Sequence, residues 1–106
     1  MKTIVYNKLV RDKIPQIIED GGNSCVTEIL SHEEYLRMVD AKLDEELAEY
    51  HADGSVEELA DLLEVIYAAA KARGYTAEAL EAIRKEKAKN RGGFDQKILL
   101  REVTEK

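Results

Sequence analysis

Two spaced signatures constrain this chain more than anything else in it: Ser31-x-x-Glu34 and Ser55-x-x-Glu58, each opening a run of apolar residues at helical spacing. A serine followed three residues later by a glutamate is the capping-box pattern of a helix start. The first predicts a helix to about Tyr50, broken by Asp53-Gly54, and the second a helix to about Arg73, before Gly74. Thr76 caps a third long helix, TAEALEAIRKEKAKN, which stops at Gly92-Gly93. Long helices joined by turns of about four residues must lie antiparallel. The expectation is a mainly all-α fold, an antiparallel helical bundle with short extended segments at each end.

The flanks carry weaker signals. Thr3 to Tyr6 is β-branched and aromatic, suited to a strand or an extended arm. Asp12 is the candidate N-cap of a short helix through Glu19, with Pro15 tolerated in its first turn and Gly21-Gly22 ending it. Cys25 to Leu30 is a candidate strand. The tail FDQKILLREV is apolar enough to pack back as a strand or an extended arm.

At 106 residues, 44% hydrophobic and 36% charged, residues 1–106 are expected to form one folded domain. The net charge of -6 argues against free nucleic acid as a partner, since phosphate binding needs a basic footprint. A small phosphorylated ligand remains open, because a divalent metal reverses the local sign. The lone Cys25 allows no intramolecular disulfide and no thiolate zinc cluster, and reads as a small buried or half-buried side chain. MKTIVYNKLVRDK lacks the apolar run of a signal peptide and no stretch approaches a membrane span, so a cytoplasmic protein is expected. His32 and His51 fall at helix ends, as surface or capping residues. There is no GxxxxGK, HExxH or GxSxG.

The acids are the feature that needs a reason. With a turn of about 100° per residue, Leu36, Val39, Leu43, Leu47 and Tyr50 make one apolar stripe on the first long helix. Glu46 lies about 60° off its centre, in line with Val39, and Glu49 follows on the same flank. Glu45 points nearly opposite and reads as solvated. On the second helix Leu59, Leu63, Ile66 and Ala70 form the main stripe. Val65, Ala68 and Ala72 form a second, small-residue line that Glu58 and Asp61 continue toward the N-terminus. A helix with two apolar faces is expected to be covered on both, by its own chain or by a second subunit.

In an antiparallel pair, Glu46 and Glu49 approach Glu58 and Asp61. Four carboxylates with no base among them repel unless a cation sits between them, and a hard divalent ion such as magnesium fits oxygen ligands. Plainer readings stand beside this one. Glu58 also serves as the capping partner of Ser55, acids are favoured near helix N-termini, and Glu45 and Glu46 fit an ordinary charged surface.

Glu45-Glu46-x-x-Glu49 followed by Glu58-x-x-Asp61 resembles the EExxE…ExxD signature of the MazG-like all-α nucleoside triphosphate pyrophosphohydrolases, a superfamily that includes phosphoribosyl-ATP pyrophosphohydrolase. The leader YNKLVRDKIP and the later RGGF resemble a small MazG-like subfamily, so that the likeness covers most of the chain. It implies hydrolysis of a nucleotide between its α and β phosphates, giving a monophosphate and pyrophosphate. It implies magnesium, or manganese, on Glu46, Glu49, Glu58 and Asp61, and a role for Glu45 in orienting or activating water. A bound divalent ion would neutralise phosphate oxygens and acidify water. Lys8, Arg11 and Lys13 in the leader, and Lys87, Lys89 and Arg91 before the glycines, are the candidates to hold the substrate phosphates. For the second group a helix C-terminus explains positive charge equally well. The superfamily implies a homodimer or homotetramer whose neighbouring helices complete the site. The connection between Glu49 and Glu58 is shorter than is usual there, so substrate choice does not carry over. The competing reading is a non-catalytic relative that binds a nucleotide or a protein, and a third is a structural helical dimer with surface acids.

Overall fold

The computed structural model describes residues 2–106. Among these it is all-helical, with α1 (Ile14–Asp20), α2 (His32–Asp53), α3 (Val56–Ala72) and α4 (Ala77–Arg91). The caps that the sequence announces form as bonds. The Glu34 N–H donates to Ser31 Oγ at 3.3 Å, the Glu58 N–H to Ser55 Oγ at 3.4 Å and the Ala79 N–H to Thr76 Oγ1 at 3.0 Å. Each hydroxyl takes up one donor that the helix start leaves without an intrahelical partner. At the other end of α2, Gly54 adopts φ 70 and its N–H donates to the Tyr50 carbonyl at 2.7 Å. A left-handed residue closes a helix at least cost when it has no Cβ.

Only residues 54 and 55 separate α2 from α3, so the two helices fold back as a tight hairpin and make the principal helix–helix contact. Among the helices, α4 packs on α3 alone. No described helix is long and apolar enough to cross a membrane.

The flanks depart from the sequence expectations. Residues 11–14 form a turn closed by the Ile14 N–H to the Arg11 carbonyl at 3.0 Å. Lys13, at φ -90 and ψ -6, therefore becomes the N-cap of α1 with no side-chain cap. Asp12 falls at the turn's corner instead of at the cap, because the chain enters the helix already turning. Neither Cys25 to Leu30 nor Thr3 to Tyr6 forms a strand, and Cys25 is exposed. A strand needs a ladder partner, and none lies alongside. The tail opens on a turn, the Lys97 N–H donating to the Phe94 carbonyl at 3.2 Å, then forms no strand and does not pack back: Ile98, Leu99, Leu100 and Val103 are between 70% and 80% exposed.

Little is enclosed. Val39 is the one described apolar residue with almost no exposure, at 0%, and the other buried side chain is Glu46, at 7%. The radius of gyration is 18.6 Å, over a length of 68 Å. A compact domain of this size would have about 13 Å. On α3 the small-residue line, with Val65, Ala68 and Ala72, is half-buried, whereas the larger stripe of Leu59, Leu63 and Ile66 stays exposed, Leu63 at 45%.

Candidate metal centre

The hairpin sets the position of the acids. Glu46 and Glu49 lie in the last two turns of α2, and Glu58 and Asp61 in the first two turns of α3. The bend therefore brings both pairs to its closed end. One oxygen each from Glu46, Glu58 and Asp61 lie within 4.8 Å of one another, and the same holds for Glu45, Glu46 and Glu49. Glu46 belongs to both groups and is the most enclosed member. Oxygens around a hard ion bound at ~2.1 Å sit about 3–4 Å apart, so small side-chain rotations would close either group into a coordinating set.

Two oxygens in this cluster are enclosed and have no donor: Glu46 Oε2 and Glu58 Oε2. Their environment opposes ionisation. Burial pushes the Glu46 carboxyl above the usual glutamate range, with the Glu49 charge adding to it and Lys42 working against it. Glu58 is likewise raised, by loss of solvent first and then by the charges of Glu49, Asp61, Asp53 and Glu46. Enclosed carboxylate oxygens without donors are costly. The capping role accounts for only one of the two boxes. Glu34 Oε1 accepts from Ser31 Oγ at 2.9 Å, whereas the enclosed Oε2 of Glu58 is left without a donor.

Glu45 corrects the helical-wheel expectation that it is solvated. Its Oε1 accepts from Lys8 Nζ at 2.9 Å and from Lys42 Nζ at 3.2 Å, and it is half-buried beneath them. The Lys8 bond holds its carboxyl below the usual glutamate range. A wheel drawn for one helix cannot show an arm crossing from elsewhere in the chain.

The cations divide into three groups. From the leader, Lys8 reaches Glu45, and Arg11 Nη2 reaches Asp61 Oδ1 at 2.7 Å. Lys42, which the sequence reading did not single out, lies 3.4 Å from Glu46 Oε1. Its signal was available, because Lys42 and Glu46 are one turn apart on one helix. Lys13 makes no ion pair among the described residues. Lys87 and Arg91 line a shallow open cleft of about 330 Å³ on α4 with Ile83, Glu86 and Asn90. No ion pair joins Lys87, Lys89 or Arg91 to the acids among the described residues.

No family model matches the chain, and no solved structure does. A stretch of 45 residues is 51% identical to an uncharacterized protein of Mycolicibacterium smegmatis, covering 42% of this chain and 46% of that protein. The matched stretch thus spans less than half the length of that relative. The fold and the site together define an all-α protein with an acid-lined helical hairpin.

Proposed function

We propose that this chain is a MazG-like, magnesium-dependent nucleotide pyrophosphohydrolase, cleaving between the α and β phosphates to release pyrophosphate. The observation that carries this reading is the pair of enclosed, donorless oxygens on Glu46 and Glu58, two residues that group with Asp61 at the closed end of the hairpin. Such a cluster fits a hard divalent cation, magnesium or manganese, better than any neutral occupant. Glu46, Glu49, Glu58 and Asp61 would hold the ion. When bound it would supply positive charge for the phosphate oxygens and lower the pKa of water.

The chain's own residues do the rest. Glu45 stays ionised under Lys8 and Lys42, so it is in the form that accepts a proton from water. Lys8 and Arg11 stand at the rim of the cluster, where phosphate oxygens would arrive, and Lys13 follows in the same segment. Lys87 and Arg91 pair with none of these acids among the described residues, and would act across a subunit boundary. The exposed Leu59, Leu63 and Ile66 supply the face for such a boundary, in a homodimer or homotetramer.

The test is pyrophosphate release from a panel of nucleoside triphosphates and phosphoribosyl-ATP, with magnesium. The wild type should release pyrophosphate from at least one, and the double variant Glu49→Ala with Asp61→Ala should lose that release by a hundredfold or more. Equal release by both proteins, or none by the wild type, would remove the catalytic reading.

A further inference from the structure

The leader meets the acid cluster from outside the hairpin, and it does so almost entirely through charge. Residues 2–10 make no helix or strand, and Ile4, Val5, Tyr6 and Val10 are exposed, with only Leu9 half-buried. The two attachments are Lys8 on Glu45 at α2 and Arg11 on Asp61 at α3.

These attachments are unlike each other. Glu45 lies outside the group formed by Glu46, Glu58 and Asp61, so Lys8 takes nothing from that group. Arg11 does. It bonds one oxygen of Asp61 and leaves the enclosed oxygens of Glu46 and Glu58 without a donor. A guanidinium carries five N–H groups in a rigid fork, and here a single one reaches the cluster. Both partners are substantially exposed, so solvent screens the pair. Arg11 is an incomplete counter-ion, and a cation that touched all three carboxylates would compensate more charge.

We propose that Arg11 and a divalent cation hold Asp61 by turns. In the metal-free protein Arg11 is the cluster's internal counter-ion. In the metal-bound protein the Arg11 end of the leader leaves α3 while Lys8 keeps Glu45, and the freed guanidinium stands beside the site, shaped to take a phosphate in two parallel bonds. This rests on the metal reading above. It adds that the leader changes partner when the site fills.

The experiment uses the full chain and Mn2+ or Mg2+ alone. Mn2+ affinity is measured for the wild type, Arg11→Gln and Asp61→Asn. In parallel, Arg11 is labelled with an arginine-selective dicarbonyl, with and without Mg2+, against the exposed Arg37 as internal reference. The expected result is several-fold tighter Mn2+ binding by Arg11→Gln, weaker binding by Asp61→Asn, and Arg11 labelling that rises several-fold with Mg2+ while Arg37 does not change. Wild-type binding that Asp61→Asn weakens, with Arg11 labelling unmoved by Mg2+, would overturn the exchange and leave the metal reading standing. No Mn2+ binding by either the wild type or Arg11→Gln would overturn both.

Discussion

Val39 and Glu46 lie two helical turns apart on one face of α2, and they are the two described residues with less than a tenth of their surface exposed. The same stripe that encloses an aliphatic side chain runs on into a carboxylate. A helix chosen for stability alone would continue with another apolar residue, so the acid at Glu46 marks where packing has been given up.

Replacing that acid should therefore strengthen the metal-free fold. Glu46→Leu removes a donorless enclosed oxygen and the repulsion from Glu49. In EDTA the variant should be more stable by on the order of 1–3 kcal/mol, and it should no longer respond to magnesium. Urea unfolding reads both effects. A variant less stable than the wild type would mean that the Lys42 pair, and not an absent cation, is what Glu46 serves.

The raised carboxyls of Glu46 and Glu58 give a signed pH dependence. A raised folded-state pKa means that the native protein binds more protons than the unfolded chain, between the ordinary glutamate value and the raised one. The stabilising contribution is full below that window and is lost as pH rises through it. In EDTA the unfolding midpoint of the wild type should thus gain on Glu46→Leu as pH falls from neutral toward the ordinary glutamate value. Metal affinity should fall over the same interval, because protons compete for the ligands. A constant difference between the two proteins across this range would contradict the enclosure of Glu46.

Magnesium itself should stabilise the wild type. At a hundredfold excess over its Kd the gain is about 2.7 kcal/mol, read as a rise in unfolding midpoint. Glu49→Ala with Asp61→Ala should show no rise. A rise that survives in the double variant would place the ion elsewhere.

Gly54 tests the hairpin. An added Cβ would meet nothing within 4 Å, so Gly54→Ala reports the cost of φ 70 alone. The variant should be destabilised by about 1 kcal/mol, left-handed strain being partly offset by a less flexible unfolded chain. A neutral outcome in urea unfolding would mean that α2 ends in another conformation.

Leu63→Glu tests the proposed subunit contact. Sedimentation of the wild type should show a dimer or tetramer, and the charge on the exposed stripe of α3 should shift it toward monomer. An unchanged sedimentation coefficient would remove this face from the interface.

The helices and their caps were legible because the signals are local: Ser31, Ser55 and Thr76 each act on an N–H three residues away. The approach of Glu46 to Glu58 and Asp61 was legible for a related reason, since periodicity and a short turn fix which faces coincide, whereas Glu49 groups with Glu45 and Glu46 on its own helix. What did not follow was anything set by distant segments. Glu45 was read as solvated because Lys8, 37 positions away, lies on no helical wheel. Both apolar faces of α3 were expected to be covered, whereas its small-residue line is half-buried and the stripe of Leu59, Leu63 and Ile66 stays exposed. Asp12 lost the cap of α1 to a turn that composition does not announce.

The two-residue connection between α2 and α3 also sets an order of events. Contacts across so short a bend close early, since little chain entropy opposes them. Arg11 is 50 positions from Asp61 and must be brought in over a far longer loop. During folding the carboxylates meet before their arginine arrives, so their repulsion falls on the ascent to the transition state. Salt or a divalent cation in the refolding buffer should then act chiefly on the rate of folding, and loss of Arg11 chiefly on the rate of unfolding.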